Sequence, residues 1–204
     1  GITRDHKLHD PRSVLAFHNV GARQVENIPD GVTDLVIPAG SCNSCTSILH
    51  GLVKSPKPNL KRVHLVGIGP SKLDLINDRL RIFQELTGVE YRGAYDCHFD
   101  TDLDVLQANR LLFSAREPLY ELRYDDLHGQ GIVRYEDSQP YSYGGIDFHP
   151  TYEGKVMNWL FRERPELVKP TTLFWIVGSK PSAEAMSSIL ERENGACPLL
   201  AESV

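Results

Sequence analysis

The sequence predicts an α/β fold, a three-layer parallel sheet flanked by helices. Two observations carry this. Short apolar runs, first at Leu35, Val36 and Ile37 and again from Arg62 to Gly69, each break into a small polar or glycine-bearing turn. Each turn then passes into a stretch with apolar residues at helical spacing. Parallel neighbours need a crossover, so strand, helix, strand, helix with short links reads as a parallel sheet. A chain of 204 residues can bury one sizeable core, or one core and part of another.

Composition narrows the class. With 22 basic and 27 acidic residues the net charge is −5, and no basic face is evident, so neither nucleic acid nor an anionic membrane is suggested as a partner. No apolar run reaches the length of a membrane span and the N-terminus lacks a signal-peptide pattern. Four cysteines are too few for a disulfide framework. A soluble protein of a reducing, cytoplasmic compartment is expected.

Residues 1–33 are polar and rich in turns, and read as the end of a small domain or a linker. Ser13 to His18 could be a strand or a helical turn, and nothing before Leu35 offers a strong core element. Residues 34–204 read as one α/β unit. Its first strand breaks at Pro38 into a loop rich in hydroxyls, and a helix burying Ile48, Leu49 and Leu52 follows from about Thr46. Unpaired N–H groups of a first helical turn and the positive end of its dipole favour an anion at such a place. Gly40 allows close approach, and Ser41, Asn43, Ser44 and Thr46 can add hydrogen bonds. The loop has neither the Gly-x-Gly-x-x-Gly spacing nor a Gly-Lys-Ser/Thr ending, so dinucleotides and nucleoside triphosphates find no support. The alternative is an ordinary turn whose hydroxyls cap the helix.

Cys42 and Cys45 form one Cys-x-x-Cys. Structural zinc would need two more ligands, and Cys97 with His98 is a weak second pair. A redox dithiol is reasonable at a helix N-terminus, where a thiol pKa falls. Two small residues chosen for size remain the simplest reading.

The second strand, Arg62 to Gly69, holds His64 as a core or rim residue rather than a ligand. Pro70 opens a helix to about Leu86 with Leu73, Ile76, Leu80 and Phe83 on one face. Asp100, Asp102 and Asp104 resemble a calcium loop only superficially, and an acidic helix start is favoured. Tyr120 to Tyr124 alternates like a strand, Tyr141 to Gly145 reads as a loop, and the region 89–150 is expected to form an insertion or lid near the site. Thr151 is the expected N-cap of a helix carrying Tyr152, Val156, Trp159 and Leu160 on one face, with Glu153 in its first turn. Thr172 to Val177 is a third buried strand, ending at Gly178 and Ser179.

Three blocks together carry a resemblance. Ala39-Gly40-Ser41-Cys42-Asn43-Ser44, Pro150-Thr151-Tyr152-Glu153-Gly154-Lys155-Val156-Met157 and Leu173-Phe174-Trp175-Ile176-Val177-Gly178-Ser179 resemble the C-terminal portion of fold-type II pyridoxal-phosphate enzymes. The branch most resembled is that of 1-aminocyclopropane-1-carboxylate deaminase and D-cysteine desulfhydrase, with a tryptophan synthase β-like fold. The resemblance implies pyridoxal 5'-phosphate as cofactor, with Ala39, Gly40, Ser41, Cys42, Asn43 and Ser44 around its phosphate. It implies Glu153 opposite the pyridine nitrogen, Tyr152 over the substrate as a catalytic residue, and Gly178 and Ser179 at the ring edge. The implied activity is that of a lyase or deaminase acting on a small amino acid, in a homo-oligomer.

One departure matters. The family's Schiff-base lysine lies in an upstream Gly-Gly-Asn-Lys-like segment, and none of this chain's lysines sits in one. The N-terminal half of the enzyme, separate or missing, is therefore expected as a partner that supplies the lysine. Two other readings stand beside this one: a non-catalytic subunit that keeps the fold, and a dithiol redox protein using Cys42 and Cys45.

Overall fold

The computed structural model describes residues 11–89, 93–96 and 119–177. Five strands form one parallel sheet in the order β3-β4-β2-β1-β7, with β1 Asp34–Ala39, β2 Arg62–Gly67, β3 Gly93–Asp96, β4 Tyr120–Asp126 and β7 Thr172–Phe174. A two-stranded hairpin, β5 Tyr141–Tyr143 and β6 Ile146–Phe148, stands apart from it. The helices are α1 Pro11–Ala22, α2 Asn43–Lys54, α3 Leu73–Thr87 and α4 Glu153–Glu163.

Alternation along the strands builds three layers, because neighbouring residues of a strand point to opposite faces. Leu35 and Ile37 of β1, in register with Val63 and Leu65 of β2, join one core with Ile48, Leu49 and Leu52 of α2 and Ile76, Leu80 and Phe83 of α3. Val36 and Val66 share the other face with Val156, Met157, Trp159 and Leu160 of α4. The expected helical face of α3 is borne out. At α2 the start moves: the helix begins at Asn43, three residues before Thr46.

Pro38 does not end β1. The carbonyl of Val36 accepts the N–H of Trp175 on the β7 side, so Pro38, two residues on, also turns its nitrogen that way. There, among the described residues, β1 is paired only as far as Val36 with Phe174, and no described strand needs the N–H that proline lacks.

Other expectations change with packing. Residues before Leu35 do contribute to the core: Val14, Ala22, Val25, Ile28 and Val32 are buried, and α1 lies against α2. A β-carbon on Gly51 would collide with the carbonyl oxygen of Ala22 and a methyl of Val25, so glycine sets this close crossing. The stretch read as a loop at Tyr141 is a hairpin, turned at Gly144 and Gly145, both with positive φ. The N-cap of α4 is Tyr152, not Thr151. The third strand is shorter than expected and lies at the sheet edge, with one strand neighbour among the described residues. It borders an apolar cavity of about 490 Å³ that Phe148, Met157, Leu160 and Phe174 help to line. Asp100, Asp102 and Asp104, expected as an acidic helix start, and Cys97 and His98 fall outside the described residues.

His64 is a core residue, as expected. It is fully buried, with its ring nitrogens 3.8 Å from Asp34 and 3.8 Å from Asp125.

Candidate functional site

A cavity of about 520 Å³ opens at the carboxyl ends of β1 and β2, where open α/β sheets place their ligands. Pro38, Gly40, Ser41, Cys42 and Ser44 form one wall. Gly69, Pro70 and Lys72, just past β2, form another, and Tyr135, Tyr152 and Val177 close it over.

The chain turns from β1 into α2 at Cys42, the N-cap, which adopts a left-handed conformation at φ 62 and ψ 10. A non-glycine residue there costs about 1–2 kcal/mol, so local packing has to hold it. Its carbonyl accepts both the backbone N–H of Thr46 at 3.0 Å and the Thr46 hydroxyl at 2.8 Å. The Thr46 hydroxyl therefore faces back along the helix, and the N-cap makes no side-chain capping bond. The expected capping of the helix by these hydroxyls is not seen at its N-cap.

Asn43 is turned away from the cavity: its side-chain oxygen accepts from Arg79 of α3 at 2.8 Å. The Cys42 thiol is held below the ordinary thiol range, chiefly by hydrogen bonding with Cys45 and then by the charges of Arg79 and Lys72. Cys45, fully buried, is pushed well up by the same pairing and by burial.

The roof is aromatic. Tyr152 lies over Gly40, with Cε1 3.4 Å from where a β-carbon would stand. Tyr135 lies over Gly69, where a β-carbon would be 2.7 Å from its ring. The two hydroxyls are 3.4 Å apart, so the pair spans the two strand-end loops.

Glu153 is fully buried beneath this roof, and its Oε1 accepts the N–H of Val177 at 2.8 Å. It does not itself line the cavity; Val177 does. Lys155, on the same helix, is also buried, with its ammonium donating to the carbonyls of Arg134 at 2.7 Å and Tyr135 at 2.8 Å.

Of the residues expected at the site, Gly40, Ser41, Cys42, Ser44 and Tyr152 come together, while Ala39, Asn43 and Glu153 stand behind the wall. Gly178 and Ser179 lie outside the described residues. Sequence reading missed Lys72, Tyr135 and the Gly69-Pro70 turn. The turn had a usable signal, because it follows a buried strand at its carboxyl end. Tyr135 had none, since only the course of an irregular segment brings it to the cavity.

An open parallel α/β sheet thus carries, at its strand ends, a cavity bordered by a helix start without a side-chain cap and by the hydroxyl-bearing residues Ser41 and Ser44. The chain is 46% identical, over an alignment of 221 residues, to the O-seryl-dTMP PLP-dependent decarboxylase of Salmonella phage ViI. The alignment takes in 98% of this chain and 50% of the phage protein, so the chain spans about half the length of this relative. The cofactor expected from the sequence is the one in the relative's name. The reaction named there is a decarboxylation, which falls in the lyase class expected from the resemblance and differs from the deamination expected beside it. No family model matches the chain, and no solved structure matches it.

Proposed function

We propose that this chain is the cofactor-holding part of a pyridoxal-phosphate-dependent lyase. The favoured reaction is decarboxylation of an amino acid carried on a nucleotide, as the relative's name describes, rather than deamination of a free small amino acid. The carrying observation is the uncapped start of α2 opening onto the Gly40–Ser44 loop, in a chain 46% identical to half of such an enzyme.

The donors present fit a phosphate monoester. Ser41 and Ser44 line the wall, Gly40 keeps the backbone accessible, the first N–H groups of α2 point outward, and Lys72 adds a positive charge. Bound pyridoxal phosphate would supply the electron sink for a bond broken at the α-carbon. Tyr152 is proposed to hold or deliver a proton at the cavity roof, with Tyr135 beside it. Glu153, the expected partner of the pyridine nitrogen, does not line the cavity and is proposed instead to position Val177, whose N–H its Oε1 accepts, at the cavity wall. Lys155 is unsuited to bind the cofactor covalently, because its ammonium is buried against two carbonyls. That lysine is assigned to the other half of the enzyme.

Equilibrium dialysis with 4'-deoxypyridoxine 5'-phosphate, which has no aldehyde, tests the site without requiring the missing lysine. Binding that inorganic phosphate competes away, and that Ser41→Asp abolishes, supports the proposal. Absence of binding overturns it. Borohydride reduction of the chain with pyridoxal phosphate should leave Lys155 unmodified, and a single adduct on Lys72 would overturn the assignment of the lysine to the other half.

A further inference from the structure

We infer that Lys155 is a positioning residue whose buried ammonium holds Tyr135 in place over the cavity. The inference rests on the site reading above and concerns the stretch from Arg134 to Gln139, which has no helix or strand of its own. Such a stretch has no ladder of its own, so its carbonyls turn to side chains, to other backbone groups or to water. Two successive carbonyls, those of Arg134 and Tyr135, find the same one: the Lys155 ammonium, at 2.7 and 2.8 Å. An ammonium has three donors on one compact point charge, so it can gather adjacent acceptors that no single backbone N–H could serve together.

The geometry then leads straight to the roof. The ammonium lies 5.7 Å from the centre of the Tyr135 ring, within cation–π range of it. The ring rests on Gly69 and its hydroxyl meets that of Tyr152. Tyr152 is the N-cap of α4, and Lys155 lies in the first turn of that helix. One short stretch of α4 therefore fixes both tyrosines, one through its own backbone and the other through a buried cation. A lysine is retained in a core at a considerable desolvation cost, and here the acceptors that offset it belong to the segment carrying Tyr135.

Other bonds along the segment are few. The N–H of Asp137 donates to the Arg134 carbonyl at 3.3 Å, the Asp137 carboxylate accepts from the N–H of Arg134 at 3.3 Å, and the N–H of Gln139 donates to the Pro150 carbonyl. The two Arg134–Asp137 bonds close the turn that holds Tyr135 and Glu136, and the Lys155 ammonium ties that turn to α4.

The test compares Lys155→Met, which keeps length but has no donor, with Tyr135→Ala, using the full chain. Two ligands are titrated: inorganic phosphate and 4'-deoxypyridoxine 5'-phosphate. Both variants should weaken the pyridine ligand about tenfold, the size expected on losing a hydrogen bond to a charged group, and leave phosphate unchanged. In a Tyr135→Ala background, Lys155→Met should have no further effect. Additive losses, or an unchanged affinity in Tyr135→Ala, would overturn the inference. Hydrogen exchange provides an arm independent of ligand. Amides of residues 134–137 should exchange at least about tenfold faster in Lys155→Met, with α4 protected as before, because a local opening is released without global unfolding. Equal exchange in both proteins would overturn the inference even if neither ligand binds, an outcome that would separately refute the proposed cofactor site. Should Lys155→Met not fold, Lys155→Gln, which keeps one amide donor group, takes its place with the same expected direction.

Discussion

Tyr152 covers Gly40 so closely that Cε1 lies 3.4 Å from the site of a β-carbon. A side chain larger than a methyl at residue 40 would therefore press on the tyrosine. Gly40→Ala adds a methyl at ordinary contact distance and should change phosphate affinity by no more than about threefold. Gly40→Val should lift Tyr152 and weaken the pyridine ligand at least about tenfold, since overpacking costs roughly 1–3 kcal/mol. Equal affinities for the two variants by dialysis would show that the contact does not control the site.

Cys42 lines the cavity with its thiol held below the ordinary range, so thiolate chemistry should appear at lower pH than for a free cysteine. Both thiols are buried, but only Cys42 borders the cavity, so alkylation by iodoacetamide, followed by mass spectrometry, should modify Cys42 before Cys45. Saturating inorganic phosphate should slow it at least about threefold if the anion occupies the adjacent α2 start. Labelling indifferent to phosphate would place the anion elsewhere.

His18 and His50 flank Phe83, with ring centroids 5.4 and 4.5 Å from it. Burial first, then Arg79 for His18 and Lys54 for His50, lowers both pKa values from 6.5 to about 4. Between those values the unfolded chain binds more protons than the folded one, so stability rises with pH there. It should be complete above about pH 6.5 and be lost as pH falls through about 4. The urea midpoint should fall between pH 7 and pH 5, and the fall should shrink in the His18→Gln, His50→Gln double variant. A double variant with the full drop would assign it to other groups.

Asp34 sits at the other end of the sheet, fully buried, with Arg62 Nε at 2.6 Å, Lys169 Nζ at 2.7 Å and the Thr33 hydroxyl at 2.7 Å. Burial alone would raise its pKa, but bonds from Lys169, Thr33 and Arg62 outweigh it and hold the carboxyl at about 2. Its stabilisation is present above the ordinary value of 3.8 and is lost as pH falls through about 2. Asp34→Asn should destabilise by about 2 kcal/mol at pH 7, below the ~3–5 of a fully buried pair, because Arg62 and Lys169 can turn to water. Chemical denaturation of the two proteins at pH 7 and pH 2.5 checks this, and a difference that does not narrow in acid would refute it.

Gly51→Ala should destabilise by about 1–3 kcal/mol although alanine is the better helix former by about 1 kcal/mol, because the added methyl meets the Ala22 carbonyl across the α1–α2 crossing. Thermal melting decides it, and a raised melting temperature would mean that the crossing relaxes freely.

Local pattern was enough for the elements that bury one clear face. The strands at Leu35 and Val63, the apolar stripe of α3 and the turn from β1 into a helix were all legible, because side-chain period and turn chemistry act over a few residues. So was the cofactor class, through the blocks around Gly40 and Tyr152. What lay beyond reach depended on distant partners. Pro38 could stay in β1 only because β7 stops short beside it, and α1 became core only because Gly51 lets it approach α2. Tyr135 and Lys155 lie 20 residues apart, and their meeting is decided by an irregular segment whose course no local propensity specifies. The tertiary structure decided it because a buried ammonium must find acceptors, and folding brings it the two carbonyls of this segment.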